Sequence, residues 1–179
     1  MSPLVRRSWA PRGVTPILHQ RTRRREKVST IAALCVAPTR DRIHLYFRLH
    51  PDANINSETV IEFLRHLRRQ LKTPAVLLWD HLQPHCSKKT GAFLHSVRHL
   101  HRFFFPGYAP ELPGRCTERA GNPVENVWGY LKRNPLSNWA PDDLQALTTT
   151  ARSHSRSIQR KQNLLRSFVK HSPLPLRLR

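Results

Sequence analysis

The stretch that most constrains the fold of this chain is Ala75 to Asp80, AVLLWD, an uninterrupted apolar run closed by an acid. A strand that alternates apolar and polar residues can leave one face in water, but a run without alternation reads as a strand covered on both faces. That points to an inner strand of a layered α/β sheet. The flanking segments agree. Val28 to Val36 (VSTIAALCV) is another nearly continuous apolar run, and Ile43, Leu45, Phe47 and Leu49 alternate with His44, Tyr46 and Arg48. The period of two predicts strands and APTRD between them a turn, giving an antiparallel hairpin with one solvated face on its second strand. Ser57 is placed to cap a helix in which Val60, Leu64, Leu67 and Leu71 form a stripe at helical spacing, and Thr73-Pro74 ends it. A helical stretch is expected around Lys88 to Arg98, then a short strand from His101 to Phe105 closed by Pro106-Gly107. Asn122 and Pro123 supply the N-cap and first-turn proline of a helix carrying Val124, Val127, Trp128 and Leu131 on one face. Residues 141–171 read as helical. The order β, β, α, β, α, β, α, α is that of an α/β layer fold, not of a bundle or a sandwich.

Charge narrows the partners. The 179 residues include 31 Lys or Arg against 11 Asp or Glu, a formal charge of +20. Excess of one sign disfavours compaction and calls for a polyanion, with nucleic acid ahead of an anionic membrane surface. No apolar run approaches the roughly 18 to 20 residues of a spanning helix. The start, MSPLVRRSW, lacks the apolar core of a signal peptide, so the expectation is a soluble, intracellular protein with no membrane partner. The basic excess lies at both ends. Residues 1–27 read as an extended basic arm, 28–140 as the domain in which the apolar pattern concentrates, and 141–179 as a basic helical region and tail. Arg21, Arg23, Arg24, Arg25 and Lys27, with Lys132 and Arg133, are the candidate DNA contacts; a solvated tail is the plainer reading of the first cluster. Cys35, Cys86 and Cys116 are odd in number and widely spaced, which argues against a disulfide framework and a CxxC zinc clip. His81, His85, Cys86, His95, His99 and His101 could be drawn as a zinc site, but such spacings arise by chance in a chain with 11 His, and that reading is set aside.

Acids are scarce, so their positions carry information. Asp80 closes a strand that reads as central, where open α/β sheets present functional groups. Glu125 lies in the first turn of a helix. Hard divalent cations bind through one or two carboxylates plus water and phosphate oxygens, so these two acids could share a metal. Equally, Asp80 could cap the following turn and Glu125 could be a first-turn acid favoured by the helix dipole.

Three motifs in order, VLLWDHLQPH around Asp80, FFFPGYAPEL (Phe103 to Leu112) and NPVENVWGYLKRNP (Asn122 to Pro135), resemble the DDE superfamily transposases of bacterial insertion sequences, in their mariner-like branch. Upstream, RRSWAPRGVTPIL and KVSTIAAL are similar to the stretch that follows the first catalytic aspartate of that family. The resemblance implies a ribonuclease H-like mixed sheet flanked by helices. It also implies two Mg²⁺ or Mn²⁺ ions held by a carboxylate triad, and DNA cleavage followed by strand transfer. Asp80 matches the second acid and Glu125 the third. Asn122 would fix the helix start that aims Glu125, and His85 would be an accessory group near the phosphate. The implied setting is the bacterial cytoplasm, associated with the nucleoid.

Two departures follow. No Asp precedes Arg6, so the first acid and its central strand are missing; Asp41 and Asp52 do not occupy the family position. Nine residues, Pro113 to Gly121 (PGRCTERAG), also separate Leu112 from Asn122, an insertion with little closure cost in a surface loop. The expectation is an N-terminally truncated catalytic domain, inactive alone, for which a second transposase chain could supply the absent acid. The competing function is a non-catalytic, sequence-independent nucleic-acid-binding or regulatory protein. A basic ribosomal-type structural protein fits the charge but predicts neither Asp80 at a strand end nor the NPVENVW helix.

Overall fold

The computed structural model describes residue 7 and residues 9–15, 27–105, 122–172 and 174–179. The hairpin forms as the period-two pattern predicts. Strand β1 (Val28–Val36) pairs antiparallel with β2 (Ile43–Pro51), in register from Val28↔Pro51 to Val36↔Ile43. Arg40 takes a left-handed conformation (φ 59°) in the reversal between them, where Ala37 N–H donates to the Arg42 carbonyl at 2.9 Å.

Helix α1 (Ser57–Gln70) begins one residue earlier than the capping expectation. Asn56, not Ser57, is the N-cap: its side chain accepts from Thr59 N–H at 2.9 Å while the Thr59 hydroxyl oxygen accepts from Asn56 N–H at 2.9 Å. The reciprocal pair satisfies two N–H groups that a bare helix start would leave open. Ser57 instead donates its hydroxyl to Ser87 Oγ. The buried stripe is Val60, Phe63, Leu64 and Leu67.

Strands β3 (Ala75–Trp79) and β4 (Leu100–Phe104) pair in parallel, Ala75↔Leu100 through Trp79↔Phe104. Two short helices connect them, α2 (Gln83–Cys86) and α3 (Lys88–Ser96). After residues 106–121 come α4 (Pro123–Arg133), α5 (Leu144–Gln159) and α6 (Gln162–Lys170). The expected continuous helical region over 141–171 is thus two helices, with Asp143 as the N-cap of the first: its carboxylate accepts from Ala146 N–H at 2.6 Å.

Two apolar cores hold these elements. One gathers Val28, Ile43, Leu45 and Leu49 of the hairpin with Val127 and Leu131 of α4, Leu147, Ala151 and Ile158 of α5, and Leu165, Phe168 and Val169 of α6. The other joins the α1 stripe to Trp79, Leu94, Val97 and Leu100. Strand β1 serves both. Ala32, Leu34 and Val36 pack on the first core, and Ile31, Ala33 and Cys35 on the second, as alternate residues of a strand must.

The sheet is therefore mixed and α/β in class, but among the described residues it is split into β1-β2 and β3-β4, with no ladder joining the pairs. The reading of AVLLW as a strand covered on both faces is corrected. Ala75, Leu77 and Trp79 pack on the second core, whereas Val76 is 62% and Leu78 40% exposed. The run is apolar on both sides, and only one side has a neighbour.

Candidate active site

Trp79 is the last residue of β3 and is buried at 6% exposure, so it anchors the backbone from which Asp80 emerges. The Asp80 carboxylate is anchored through Oδ1. Its Oδ1 lies 2.7 Å from His85 Nδ1 and accepts the Leu82 N–H at 3.3 Å. The capping role and the functional one are thus not alternatives, because the same oxygen that closes the turn meets the imidazole. The Asp80 side chain is 37% exposed against 15% for His85. The carboxylate reaches solvent while its partner is largely enclosed.

The position of His85 is fixed in several ways. Its ring stacks on the Trp79 indole at 4.4 Å between centroids, with 11° between planes. Its backbone N–H donates to the Leu82 carbonyl at 2.8 Å, in the single turn of α2. That turn is tied to α3 through Thr90, whose buried hydroxyl donates to the Pro84 carbonyl at 2.7 Å. Stacking continues outward: Phe104 of β4 lies 6.3 Å from Trp79 and 4.8 Å from His81, and the Arg102 guanidinium sits 5.0 Å over the Phe104 ring. His81 Nε2 is 2.9 Å from the Phe105 carbonyl. The histidines of HLQPHC are accordingly engaged with the strand ends. Sequence reading missed this ring stack around Asp80. The signal was the pairing of Trp79 with Phe104, which becomes visible only once the parallel register of β3 and β4 is known.

Glu125 stands in the first turn of α4, as expected. Asn122 Oδ1 accepts Val124 N–H at 3.1 Å and the Asn122 carbonyl accepts Glu125 N–H at 3.0 Å, so the N-cap sets the backbone that carries Glu125. Val127 and Leu131, both 0% exposed, and the partly buried Trp128 pack α4 on the first core, and Asn126 Nδ2 donates to the Phe168 carbonyl at 2.9 Å to bind it to α6. Asp80 thus hangs from the second core and Glu125 from the first. Among the described residues, no group of three or more His, Cys, Asp or Glu side chains could hold a metal ion. Two Mg²⁺ or Mn²⁺ ions need a larger donor set than two carboxylates make. Asp41 pairs with Thr39 Oγ1 in the hairpin turn, and that hydrogen bond holds its carboxyl below the ordinary range; Asp52 is an exposed left-handed residue (φ 48°). Both remain at the hairpin.

Of the candidate DNA contacts, Arg21, Arg23, Arg24 and Arg25 lie outside the described residues, as do Cys116 and the 113–121 insertion. Lys27 is exposed and donates to Asn54 Oδ1. Arg133 is exposed with Nε donating back to the Gly129 carbonyl at 3.1 Å, and Lys132 is half-buried. Further exposed cations that the sequence reading did not single out as contacts lie on α1 (Arg65, Arg68, Arg69) and α5 (Arg152, Arg156). No described helix is long and apolar enough to cross a membrane.

A carboxylate at the carboxyl end of a parallel strand and a second at the start of a capped helix place the chain among α/β domains that present acids at strand and helix ends, here in a strongly cationic chain. The chain belongs to the DDE superfamily endonuclease family, whose model matches residues 2–148. Among solved structures it is similar to that described as "Crystal structure of the Mos1 Strand Transfer Complex", with a TM-score of 0.59 at 15% sequence identity. That likeness covers 95% of this chain and 47% of the Mos1 chain, so this chain spans about half the length of its structural relative. No curated protein sequence matches.

Proposed function

We propose that this chain is a portion of a transposase catalytic domain, that it contributes Asp80 and Glu125 to the metal-dependent cleavage and transfer of DNA strands, and that alone it binds DNA without cutting it. The observation that carries the reading is the Asp80 clamp: in a DDE family chain, the acid at the end of β3 is positioned through Oδ1 by His85 and by the turn, and its side chain is still 37% exposed to solvent. His85 is a positioning residue in this reading, holding the carboxylate through Nδ1 while its ring is fixed on Trp79. Mg²⁺ or Mn²⁺ is the cofactor class. The chain offers Asp80 and Glu125 toward it.

Binding and cutting are measured separately. Filter binding of the purified chain to duplex DNA is expected to weaken by orders of magnitude between low and moderate salt, with little dependence on sequence, because neutralised phosphates release counterions. Plasmid nicking with Mg²⁺ or Mn²⁺ is expected to be absent. Salt-independent binding would remove the DNA reading. Nicking that is lost in both Asp80→Asn and Glu125→Gln would show that the two acids suffice and that the chain is an enzyme by itself.

A further inference from the structure

Helix α6 and residues 174–179 meet the hairpin at the turn between β1 and β2. The Gln162 side chain closes the outer edge of β2 at Ile43, accepting from its N–H at 3.1 Å and donating to its carbonyl at 2.9 Å. One turn further along α6, Arg166 holds backbone: its Nη1 donates to the Asp41 carbonyl at 2.8 Å and its Nη2 to the Arg179 carbonyl. Arg179 N–H in turn donates to the Arg40 carbonyl at 3.0 Å. Residues 174–179 are thus a strap laid against the turn. Burial alternates along it. Leu174, Leu176 and Leu178 are half-buried, the last two packed on the first core, whereas Pro175, Arg177 and Arg179 are exposed. Apolar anchors at every second residue leave the arginines between them on the solvent side.

Turn and strap border a cleft of about 630 Å³, lined by Pro38, Thr39, Arg40, Arg177, Leu178 and Arg179. Three guanidinium groups and no acid line it. The acid of the turn, Asp41, bonds to Thr39 Oγ1 and has Arg42 beside it, and both hold its carboxyl below the ordinary range. Among the described residues, the guanidinium groups of Arg40, Arg177 and Arg179 have no hydrogen-bond or ion-pair partner. Other cations are engaged: Arg48 pairs with Glu62 and Lys89 with Glu58, and Arg65 and Arg102 lie over the rings of Phe93 and Phe104. Arg40 also takes a left-handed conformation (φ 59°) in which glycine or asparagine is the ordinary occupant. The chain thus keeps a cation where the backbone favours a smaller residue. Three like charges on one cleft repel one another unless an anion lies among them.

We propose that this cleft is a docking surface for the phosphate backbone of duplex DNA, with Arg40 and Arg177 each meeting one phosphate and Arg179 flanking them. Chemistry selects the partner. A guanidinium presents a planar fork of donors that matches phosphate oxygens. The cleft offers no aromatic ring to stack a base and no side-chain amide to read one, so the contact positions a duplex without specifying its sequence. Arg166 and the buried leucines fix the strap in advance, so little ordering remains on binding. This surface rests on the proposal that the chain binds DNA, and it is independent of the roles of Asp80 and Glu125.

Fluorescence anisotropy of a labelled duplex with the 179-residue chain, over a series of salt concentrations, tests it. The slope of log K against log salt falls by about 0.9 for each phosphate contact removed. Arg40→Gln and Arg177→Gln are each expected to lower it by about 0.9, and the two together by about 1.8. The urea midpoint is expected to stay unchanged, because neither guanidinium bonds to the protein. Arg40→Lys with Arg177→Lys keeps both charges and is expected to keep the slope. Lys89→Gln takes the same charge from the pair with Glu58 and is expected to leave the slope unchanged. A drop of less than about 0.9 in the Gln pair, an equal loss in the Lys pair, or an equal fall per charge in Lys89→Gln would each overturn the docking surface and leave DNA binding standing. A parent chain without salt-dependent binding would overturn both. Binding to phosphatidylserine vesicles that is lost in the Gln pair while the DNA slope holds would assign the cleft to lipid headgroups and overturn it as well.

Discussion

The seal on the outer edge of β2 makes a quantitative claim. Ile43 is 0% exposed, and both its backbone polar groups are satisfied by a single side chain, Gln162, 119 residues away in sequence. The amide orientation is fixed by its partners, because the Ile43 N–H needs an acceptor and the Ile43 carbonyl a donor. Gln162→Ala leaves one buried donor and one buried acceptor, each costing about 1–3 kcal/mol, so a loss of roughly 2–6 kcal/mol is expected. For a chain of this size that lowers Tm by about 4–24 °C. Gln162→Leu keeps most of the volume and removes both bonds, so it should fall close to Gln162→Ala. Gln162→Glu retains an acceptor for the N–H but sets a carboxylate against the Ile43 carbonyl, and should not recover the loss. Urea unfolding followed by circular dichroism reads all three on one scale. If Gln162→Leu matches the parent, packing rather than hydrogen bonding closes this edge. If Gln162→Ala lies within about 0.5 kcal/mol of the parent, the edge is not sealed by Gln162 at all.

Two further outcomes follow from the caps and the cysteines. Asn122→Ala removes the acceptor for Val124 N–H and is expected to cost about 1 kcal/mol in urea unfolding, with Asn122→Asp close to neutral; a cost below a few tenths would mean that the cap does not set the start of α4. Burial pushes the Cys35 thiol from 9.0 up to about 11, so at pH 8 a thiol reagent should label the exposed Cys86 well before Cys35 by peptide mass mapping. Because the folded value is the raised one, the contribution of Cys35 to stability is complete below pH 9 and lost as pH rises toward 11, and Cys35→Ala should flatten that part of the stability profile.

Periodicity was enough to place the hairpin, the α1 stripe and α4, because each is a local pattern read against one core. Ile43, Leu45 and Leu49 lie on the buried face that alternation predicts, and Val127 and Leu131 on the helical one. The helix start at Asn56 was missed since Asn56 and Ser57 are both good caps, and the choice falls to Thr59, whose hydroxyl completes the reciprocal bond. The break at residues 160–161 was also invisible, with no proline or glycine to mark it: the chain turns there so that Gln159 and Gln162 both face β2. AVLLW gives the sharpest contrast. Composition states what environment a strand suits, but exposure depends on whether a neighbour is present, and that is a property of the sheet. The placement of Asp80 just after a strand and of Glu125 in the first turn of a helix was legible from motif position. Their separation onto two cores was not, since only tertiary packing decides which layer each element joins.

Asp80 and Glu125 are aimed by different supports. Asp80 follows Trp79, which packs with Ala75 and Leu77 on the α1 layer, and Glu125 follows Asn122 and Pro123 at the start of a helix whose Val127 and Leu131 pack on the first core. Among the described residues no ladder joins the two strand pairs, so no backbone bond of a sheet fixes one acid against the other. A phosphate-cleaving site needs its groups held within about 0.5 Å. Strand β1 touches both cores, with Ala32, Leu34 and Val36 on one and Ile31, Ala33 and Cys35 on the other, so the relative aim of the two acids rests on side-chain packing across β1.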